Sequence, residues 1–306
     1  MRIVFLGTPD FAVAPLKAVC SIKNAEVVAV VCNNDKPVGR KQILTPPPTK
    51  VCANEMGISV FQYDKIRKEG VEDLKHLNPD LMITCAFGQI LSQEILDIPK
   101  LGVINIHASL LPAYRGASPI QYAILNGEKT TGITIMKTDI GIDTGDILFQ
   151  KEIKIGENET CGELFVRLSL LGAECIKDAL PLIMSGSLKP IKQDESLASY
   201  SKMIKKEHAL IDWNFSAERI INKIRAFNPF PVAYTFLNGL PFKIYKAEKC
   251  DFNGKPGTVV NSENRLIVAT GSGAVSLLTV CKAGGKIMNI SDFLRGNPIA
   301  VGDILG

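Results

Sequence analysis

The chain has 306 residues, of which 46% are hydrophobic, and a formal net charge of +4, so it can bury a substantial core and its length favours about two domains. Its first residues carry one positive charge and a short apolar run interrupted by Gly7 and Pro9, which disfavours a signal peptide. The apolar runs are far shorter than the roughly 20 residues of a membrane span, so we expect a cytoplasmic protein without a membrane span. No obligatory protein partner is evident from the sequence.

The first part of the chain alternates short β-rich runs with helical patterns. Several of these runs are apolar throughout, as in strands that are covered by helices on both faces. This alternation of strand-like and helical segments predicts an α/β domain around a central parallel sheet. The runs with the composition of strands are residues 2–6, 26–32, 81–85 and 103–106.

Gly7, Thr8 and Pro9 follow the first predicted strand. Thr8 is a helix-capping residue type, and proline suits the first helical position, so we expect a strand, a turn and a helix here. The Gly-x-Gly-x-x-Gly pattern of a dinucleotide-binding turn is missing, which argues against a nicotinamide-dependent dehydrogenase.

A long helix is predicted after residue 160, because Thr160 and Glu163 have the spacing of a capping box. Three leucines that follow fall on one helical stripe: Leu164, Leu168 and Leu171. We expect this helix to close a first domain of residues 1–188. Residues 189–207 lose the helical periodicity and contain a proline, serines and several lysines, which predicts a linker.

The last part of the chain, residues 208–306, is predicted to be β-rich. After a short helix over about residues 216–227, Asn238-Gly239 lies between two apolar runs and is a strong signal for a β-hairpin. The spacing of the strand-like runs predicts a small β-barrel of the oligonucleotide-binding kind. The later runs are residues 258–260, 266–269 and 275–280.

Positive charge is concentrated in this last part. Residues 201–306 carry 14 Lys and Arg against 8 Asp and Glu, whereas the first 200 residues carry 21 against 23. A basic surface suits a polyanionic partner such as RNA. A solvated basic face without a partner explains the same charge equally well.

Eight cysteines are spread along the chain without any Cys-x-x-Cys pair. Most of them lie within apolar runs, so we expect buried, reduced thiols and no disulfide framework. No His or Cys pair has the spacing of zinc ligands, so we also expect no metal.

Asn105 and His107 lie at the end of an apolar predicted strand. Because side chains alternate along a strand, both face the same side, and the carboxyl ends of parallel strands are where open α/β sheets bind ligands. Asp143 lies downstream in the glycine-punctuated loop of residues 139–146. The three are candidate catalytic residues, although an Asn or His at a strand end is often a turn former or a satisfied core residue, and an Asp in such a loop often caps its own backbone.

Residues 103–112, Val-Ile-Asn-Ile-His-Ala-Ser-Leu-Leu-Pro, resemble the folate-dependent formyltransferases, whose shared pattern is Asn-x-His-x-Ser-Leu-Leu-Pro followed by an Asp in a downstream loop. Asn105, His107 and Asp143 occupy the catalytic positions of that pattern. The resemblance implies a Rossmann-like domain that uses 10-formyltetrahydrofolate as co-substrate, without a metal. It also implies that the folate pocket is lined by Ser109, Leu110, Leu111, Pro112, Gln89, Ile90, Leu91 and Asp139.

Three further segments resemble those members of the family that formylate methionyl initiator tRNA. Residues 34–50 resemble the loop that approaches the tRNA acceptor stem, with Arg40 at the key arginine position and Lys36 and Lys41 near it. The other two segments are residues 224–234 and 291–296. An arginine in a loop so rich in proline and glycine is exposed whatever its role, so the tRNA contact is implied by the resemblance alone.

The implied reaction moves a formyl group to an amine, and the three polar residues suit it. The Asn105 amide can donate a hydrogen bond to the formyl oxygen as negative charge develops there, and His107 can supply a second donor. Asp143 is expected to keep His107 protonated and oriented, or to take the proton of the attacking amine. No serine or cysteine nucleophile is expected.

Two other interpretations stay open. A formyltransferase of the same fold that acts on a sugar-nucleotide amine or on glycinamide ribonucleotide would share the three catalytic residues, but the Arg40 loop and the length of the last part favour tRNA. A non-catalytic RNA-binding protein would explain the basic last part. It would not explain the intact set Asn105, His107 and Asp143.

Overall fold

The computed structural model describes residues 1–39 and 41–306, and within them the chain forms two compact units. The first unit comprises Met1–Pro119, Thr130–Lys154 and Phe165–Lys202. The second unit comprises Ile120–Lys129, Ile155–Leu164 and Met203–Gly306. Two short segments from the middle of the chain therefore belong with its C-terminal part.

Strands and helices alternate along the chain up to residue 202. The strands are β1 (Arg2–Gly7), β2 (Glu26–Cys32), β3 (Lys36–Val38), β4 (Ile43–Thr45), β5 (Val60–Gln62), β6 (Leu81–Cys85), β7 (Val103–His107), β8 (Arg115–Gly116), β9 (Thr130–Lys137), β10 (Ile147–Lys154) and β11 (Tyr200–Ser201). The helices are α1 (Val13–Cys20), α2 (Pro48–Glu55), α3 (Ile66–Glu69), α4 (Val71–Leu77), α5 (Gln93–Leu96), α6 (Pro119–Leu125) and α7 (Cys161–Met184). No helix in the described ranges has both the length and the apolar character that a bilayer span requires.

A seven-stranded sheet forms the core of the first unit, in the order β10-β9-β7-β6-β1-β2-β5. The strands from β5 to β7 in this order pair in parallel, whereas β9 is antiparallel to both β7 and β10. Strands β1 and β6 are buried over almost their whole length, as expected for strands with both faces covered. The predicted Rossmann-like α/β fold is confirmed, with an antiparallel edge added to the parallel strands.

The predicted strand, turn and helix follow one another from residue 2 onward, but the helix cap predicted at Thr8 is wrong. A 3-10 turn at Asp10–Ala12 comes first, and α1 begins only at Val13. The Thr8 hydroxyl accepts a hydrogen bond from the backbone N–H of Asn33 at 3.2 Å. Thr8 is a suitable residue type for a cap, but the chain just after β2 supplies a competing donor that is remote in sequence.

The predicted capping box is confirmed at the start of α7. The Glu163 carboxylate accepts from the Thr160 N–H at 2.8 Å, and the Thr160 hydroxyl oxygen accepts from the Glu163 N–H at 3.3 Å. Two backbone donors at the helix N-terminus are thereby satisfied. The predicted leucine stripe is buried: Leu164, Leu168 and Leu171.

The second unit contains a curled antiparallel half-barrel, which confirms the prediction of a small barrel-like β-domain. Its elements are α8 (Ala217–Ala226), β12 (Tyr234–Leu237), β13 (Leu240–Cys250), β14 (Val259–Asn261), β15 (Leu266–Ala269), β16 (Ala274–Lys282), β17 (Met288–Asn289) and α9 (Ile290–Gly296). The strand order is β12-β13-β16-β15-β14, and β17 pairs with β16. Asn238 and Gly239 join β12 to β13 with φ of 52° and 73°, the positive values that a two-residue hairpin turn of this kind requires.

The eight cysteines are free thiols. Burial raises the pKa of the Cys161 thiol to about 12 and that of Cys32 to about 11. A buried thiol with so high a pKa stays protonated at neutral pH and is a poor nucleophile.

We predict that Phe242→Ala destabilises the second unit by about 3–5 kcal/mol, because it removes a fully buried ring and leaves a cavity. The Phe242 ring packs against that of Phe293, with centroids 5.1 Å apart. Trp213, the single tryptophan of the chain, lies in the same core, so its fluorescence during guanidinium denaturation reports on this unit. Phe252→Ala, at an exposed position, is the matched control and should cost less than about 0.5 kcal/mol. Equal costs for the two variants would contradict this assignment of the core.

Candidate active site

The structure brings Asn105, His107 and Asp143 together in the first unit. The amide Nδ2 of Asn105 donates to Asp143 Oδ1 at 3.2 Å, and His107 Nδ1 lies 3.6 Å from Asp143 Oδ2. The side chain of His107 is 6% exposed and that of Asp143 is 17% exposed. An amide, an imidazole and a carboxylate thus meet in a position that is sheltered from bulk water.

Strand β7 sets the positions of Asn105 and His107. It lies between β6, which is parallel to it, and β9, which is antiparallel. Because successive side chains alternate, the two polar residues project from one face of the sheet and the buried Ile106 from the other. The apolar residues therefore fix the strand, while the polar ones face the site.

A hydrogen bond to the backbone fixes the tautomer of His107. The ring Nε2 lies 3.0 Å from the carbonyl oxygen of Tyr114, and because a carbonyl oxygen can only accept, Nε2 carries a proton. Nδ1 is then the ring nitrogen that faces Asp143. Its separation of 3.6 Å from the carboxylate is too long for a direct hydrogen bond, so Nδ1 is available to a bound group or to water.

Thr84 orients the amide of Asn105. The Thr84 hydroxyl donates to Asn105 Oδ1 at 2.9 Å, which leaves Nδ2 to donate to Asp143. The reverse amide orientation would place an oxygen against the carboxylate. Among the described residues, no acceptor takes the second Nδ2 hydrogen, so it can donate to an oxygen of a bound molecule. Thr84 was not predicted as a site residue, although it is a polar residue in an apolar strand and is in register with Asn105.

The loop after β9 presents Asp143 in the left-handed backbone region, with φ of 53°. The Gly116 N–H donates to Asp143 Oδ2 at 2.8 Å. The Asp139 carboxylate accepts from the Gly141 N–H at 3.1 Å and from the Thr144 hydroxyl at 2.7 Å. Asp139 therefore shapes the loop that carries Asp143, and its predicted contact with folate stays a prediction.

The residues that follow β7 turn back against β9. Ser109 is fully buried, and its carbonyl oxygen accepts from the Thr134 hydroxyl at 2.6 Å. The Leu111 N–H donates to the Thr134 hydroxyl oxygen at 3.1 Å. Leu111 is buried, whereas Leu110 and Pro112 are half-buried. Thr134 thus holds the segment whose side chains are predicted to line the folate pocket.

The segment that contains Gln89, Ile90 and Leu91 is held by the Gln89 side chain. Its amide nitrogen Nε2 donates to Asn33 Oδ1 at 2.8 Å and to the Tyr63 carbonyl oxygen at 2.9 Å. Its amide oxygen Oε1 accepts from the first N–H of α3 at 2.8 Å. The Gln89 amide is therefore fully used within the protein. Leu91 is buried and Ile90 is 71% exposed, so Ile90 is the residue of this segment that is open to a ligand.

Arg40, the predicted tRNA contact, lies outside the described residues. Lys36 begins β3, which pairs with β4 as an antiparallel hairpin, and both Lys36 and Lys41 are exposed. Neither lysine takes part in the hydrogen bonds that join Asn105 to Asp143. The hairpin also exposes three apolar side chains: Val38, Ile43 and Leu44.

Three residues support Asp143 in a way that was not predicted from the sequence. Arg115 is fully buried and pairs with Glu195 at 2.7 Å, and its Nε donates to Gln193 Oε1 at 3.0 Å. The Gln193 amide in turn donates to the Asp143 carbonyl at 2.9 Å. These partners are about 80 residues apart in the chain, so no local pattern could indicate them.

The arrangement supports polar chemistry at a carbonyl group. The Asn105 amide can stabilise an oxygen that gains negative charge, and His107 and Asp143 can exchange a proton with a nearby amine. Within residues 1–39 and 41–306, no group of three or more His, Cys, Asp or Glu side chains is placed to hold a metal ion.

Both parts of the chain match known protein families. Residues 1–180 match the family described as formyl transferase, and residues 203–298 match the formyl transferase C-terminal domain. The chain is 47% identical over 310 residues to a methionyl-tRNA formyltransferase of Bacillus velezensis, which covers 100% of this chain and 98% of the relative. It is 46% identical over 308 residues to one of Geobacter metallireducens, with coverage of 100% and 99%.

The fold also matches solved structures. WlaRD, a sugar 3N-formyl transferase crystallised in the presence of dTDP and 5-N-formyl-THF, superposes with a TM-score of 0.68 and is 25% identical. The match covers 94% of this chain and 99% of that one. The sugar-specific relative is thus considerably more distant in sequence than the tRNA-specific ones.

We predict that Gly116→Ala damages the site, whereas Gly102→Ala does not. Both glycines have positive φ, so each alanine costs about 1–2 kcal/mol in backbone strain. A Cβ at residue 116 would also lie 2.6 Å from the Ser201 carbonyl oxygen, while nothing among the described residues lies within 4 Å of one at residue 102. The clash should cost roughly a further 1–3 kcal/mol.

Denaturant titration followed by circular dichroism measures the two costs, and hydrogen exchange by mass spectrometry locates the damage. Exchange in residues 112–118 should accelerate only in Gly116→Ala. Equal costs together with unchanged exchange in both variants would contradict the tight contact between Gly116 and Ser201.

Proposed function

The chain belongs to the formyl transferase family, and we propose that it transfers the formyl group of 10-formyltetrahydrofolate to the α-amine of methionyl initiator tRNA. The product, N-formylmethionyl-tRNA, serves translation initiation, so we place the reaction in the cytoplasm. One observation carries the choice of acceptor: the similarity to methionyl-tRNA formyltransferases extends over the whole chain at 46–47% identity.

We assign the two predicted domains different tasks. Residues 1–188 contain Asn105, His107 and Asp143 and would carry out the transfer. Residues 208–306, which follow the predicted linker 189–207, would bind tRNA. The excess of basic residues after residue 200 supports this division, because phosphate neutralisation by Lys and Arg supplies much of the affinity of a nucleic-acid complex.

The site fits a formyl donor. A formyl oxygen needs a donor that is not already engaged, and the second Nδ2 hydrogen of Asn105 is such a donor. Ile90 offers an exposed apolar surface for a flat ring system, and the predicted wall Ser109–Pro112 follows directly after His107. The family relationship supports folate as the donor, since WlaRD was crystallised with 5-N-formyl-THF.

Asn105 would act on the formyl oxygen. When the amine attacks the formyl carbon, negative charge develops on that oxygen, and an amide donor already held in place stabilises the charge without reorganisation. Thr84 and Asp143 hold the Asn105 amide in one orientation. The donor is therefore aligned before the substrate arrives.

His107 and Asp143 would carry out the proton transfers of the reaction. The attacking amine must lose a proton as its nitrogen bonds to the formyl carbon, and the nitrogen that leaves the formyl group gains one. Asp143 can take the first proton, directly or through water. Because Nε2 of His107 donates its proton to the Tyr114 carbonyl, Nδ1 is the ring nitrogen that can accept a proton from the attacking amine. Once protonated, Nδ1 can donate to the formyl oxygen or return the proton to the leaving nitrogen.

A formyl-transfer assay tests the proposal. The purified protein is incubated with 10-formyltetrahydrofolate and charged initiator methionyl-tRNA, and formylmethionine is measured after release from the tRNA. A parallel reaction offers a dTDP-linked amino sugar. We expect a formylated product with methionyl-tRNA and none with the amino sugar. Product with the sugar only would favour the sugar-nucleotide alternative, and no product with either would refute the enzymatic function.

We predict that each residue of the catalytic set is needed for turnover but not for tRNA binding. Asn105→Ala should lower kcat by about 100- to 1000-fold, the usual cost of losing one such donor. His107→Ala and Asp143→Ala should abolish measurable turnover. His76→Ala, at an exposed position on α4, is the control and should retain full activity. Loss of tRNA binding in His107→Ala and Asp143→Ala would contradict their catalytic assignment.

We predict that Arg40→Ala impairs use of tRNA and leaves the folate site intact. The expected loss is about tenfold in kcat/KM for methionyl-tRNA, which corresponds to about 1.4 kcal/mol, with unchanged affinity for folate. Arg67→Ala, an exposed arginine on α3, controls for the loss of one positive charge. An unchanged kcat/KM in Arg40→Ala would make Arg40 an ordinary surface residue.

A further inference from the structure

Asp143 is anchored through its backbone as well as through its carboxylate. The Gln193 Nε2 group donates to the carbonyl oxygen of Asp143 at 2.9 Å and to that of Gly145 at 2.7 Å. Both carbonyls belong to the loop after β9. One side chain from a remote segment therefore spans the loop on either side of residue 144.

The orientation of the Gln193 amide is fixed at its other end. Arg115 Nε donates to Gln193 Oε1 at 3.0 Å, and since a guanidinium carries only donors, the amide oxygen must face it. Both hydrogens of Nε2 are then directed at the loop carbonyls. All hydrogen-bonding groups of this amide are used, and none of them contacts Asn105 or His107.

Arg115 is itself held rigidly. Its two terminal nitrogens bind the Glu195 carboxylate at 2.9 Å and 2.7 Å, a bidentate geometry that fixes the plane of the guanidinium. This hydrogen bonding raises the pKa of Arg115 above its usual value. The side chain is fully buried, so Arg115 is a charged and stationary support for Gln193.

The residues on either side of Arg115 bind the catalytic set directly. The carbonyl of Tyr114 binds His107, and the N–H of Gly116 binds Asp143. Strand β8 is in turn paired with β11, and the Arg115 N–H donates at 2.8 Å to the carbonyl of Ser199, the residue just before β11. Residues 193–201 therefore support both His107 and Asp143.

We propose that Gln193 is a positioning residue for formyl transfer, which holds the backbone of Asp143 so that its carboxylate faces Asn105 and His107. The proposal rests on the proposed function of the site. A non-glycine residue with φ of 53° is strained and needs support from its surroundings, and the two hydrogen bonds from Gln193 supply it. Without them the loop can relax and carry the carboxylate away.

Position matters here because misplacement of a reacting group by about 1 Å can cost about 100-fold in rate. The contact between Asn105 Nδ2 and Asp143 Oδ1 is already 3.2 Å long, near the upper end of ordinary hydrogen bonds. A small shift of the loop would break it.

The test uses two variants with nearly the same volume as glutamine. Gln193→Glu keeps an oxygen for Arg115 but replaces the two N–H donors by an acceptor, and Gln193→Met keeps only the shape. We expect kcat for formylation of methionyl-tRNA to fall by about 10- to 100-fold in both. The KM values and the stoichiometry of 5-formyltetrahydrofolate binding should change by less than about twofold.

Gln93→Glu is the matched control, since Gln93 lies on α5 and its amide binds Asp97 at an exposed position. It should retain the wild-type kcat. Wild-type kcat in Gln193→Met would show that only packing matters and would overturn the proposal. A fall in rate that merely follows a fall in folate-binding stoichiometry would do the same, because it would indicate partial unfolding.

Crystal structures of the wild type and Gln193→Glu test the geometry without any assay. The separation of Asn105 Nδ2 and Asp143 Oδ1 should increase by about 0.5 Å or more, the tolerance within which catalytic groups must be held. If the Asp143 carboxylate does not move in Gln193→Glu, the positioning role is overturned, even if the wild-type protein transfers formyl groups. If the carboxylate moves but the wild-type protein lacks formyl-transfer activity, only the proposed function is overturned.

Discussion

The carboxylate of Asp143 joins three parts of the first unit that are far apart in the chain. It accepts from the Asn105 amide at 3.2 Å and from the Gly116 N–H at 2.8 Å, and it faces His107 Nδ1 at 3.6 Å. A carboxylate offers about four acceptor sites, so it can bind two fixed donors and still interact with a substrate proton. Because its side chain is only 17% exposed, these interactions are less weakened by water than they would be at the surface.

The sheet explains why Asp143 reaches this position. Strand β9 is antiparallel to β7, and its last residue, Lys137, is paired with Ile104 near the start of β7. The loop of residues 139–146 must therefore fold back over the sheet face to reach Asn105, and it is not a loop at the carboxyl end of a parallel strand. Such a path uses the left-handed backbone of Asp143 and a close approach at Gly145, where a Cβ would clash with the Lys137 carbonyl oxygen. It also needs anchoring from outside the loop, which Gly116 and Gln193 supply.

Local sequence patterns were sufficient to predict those features whose interactions join residues close together in the chain. The alternation in Val103–His107 predicted that Asn105 and His107 share a face, and the capping box at Thr160 and the hairpin at Asn238 were predicted from spacings of a few residues. Interactions between residues far apart in the chain could not be predicted in this way. Thr8 has the chemistry of a helix cap, yet its hydroxyl binds Asn33. The supporting roles of Arg115, Gln193 and Glu195 could not be predicted, because a charged or amide side chain is usually exposed. Only pairing across about 80 residues makes burial of Arg115 tolerable.

The proposed catalytic set of Asn105, His107 and Asp143 accounts for the reaction type but cannot by itself select the acceptor. In the proposed reaction its contacts are to the formyl group of the donor and to the attacking amine, and an amine is common to tRNA and sugar acceptors. Cys85, next to Thr84 on β6, is not suited to covalent selection, because burial raises the pKa of its thiol above the usual value and a protonated thiol is a poor nucleophile. Selection must therefore come from residues that touch the acceptor beyond its amine. The hairpin β3–β4 exposes basic and apolar side chains together, and this combination suits both phosphates and bases.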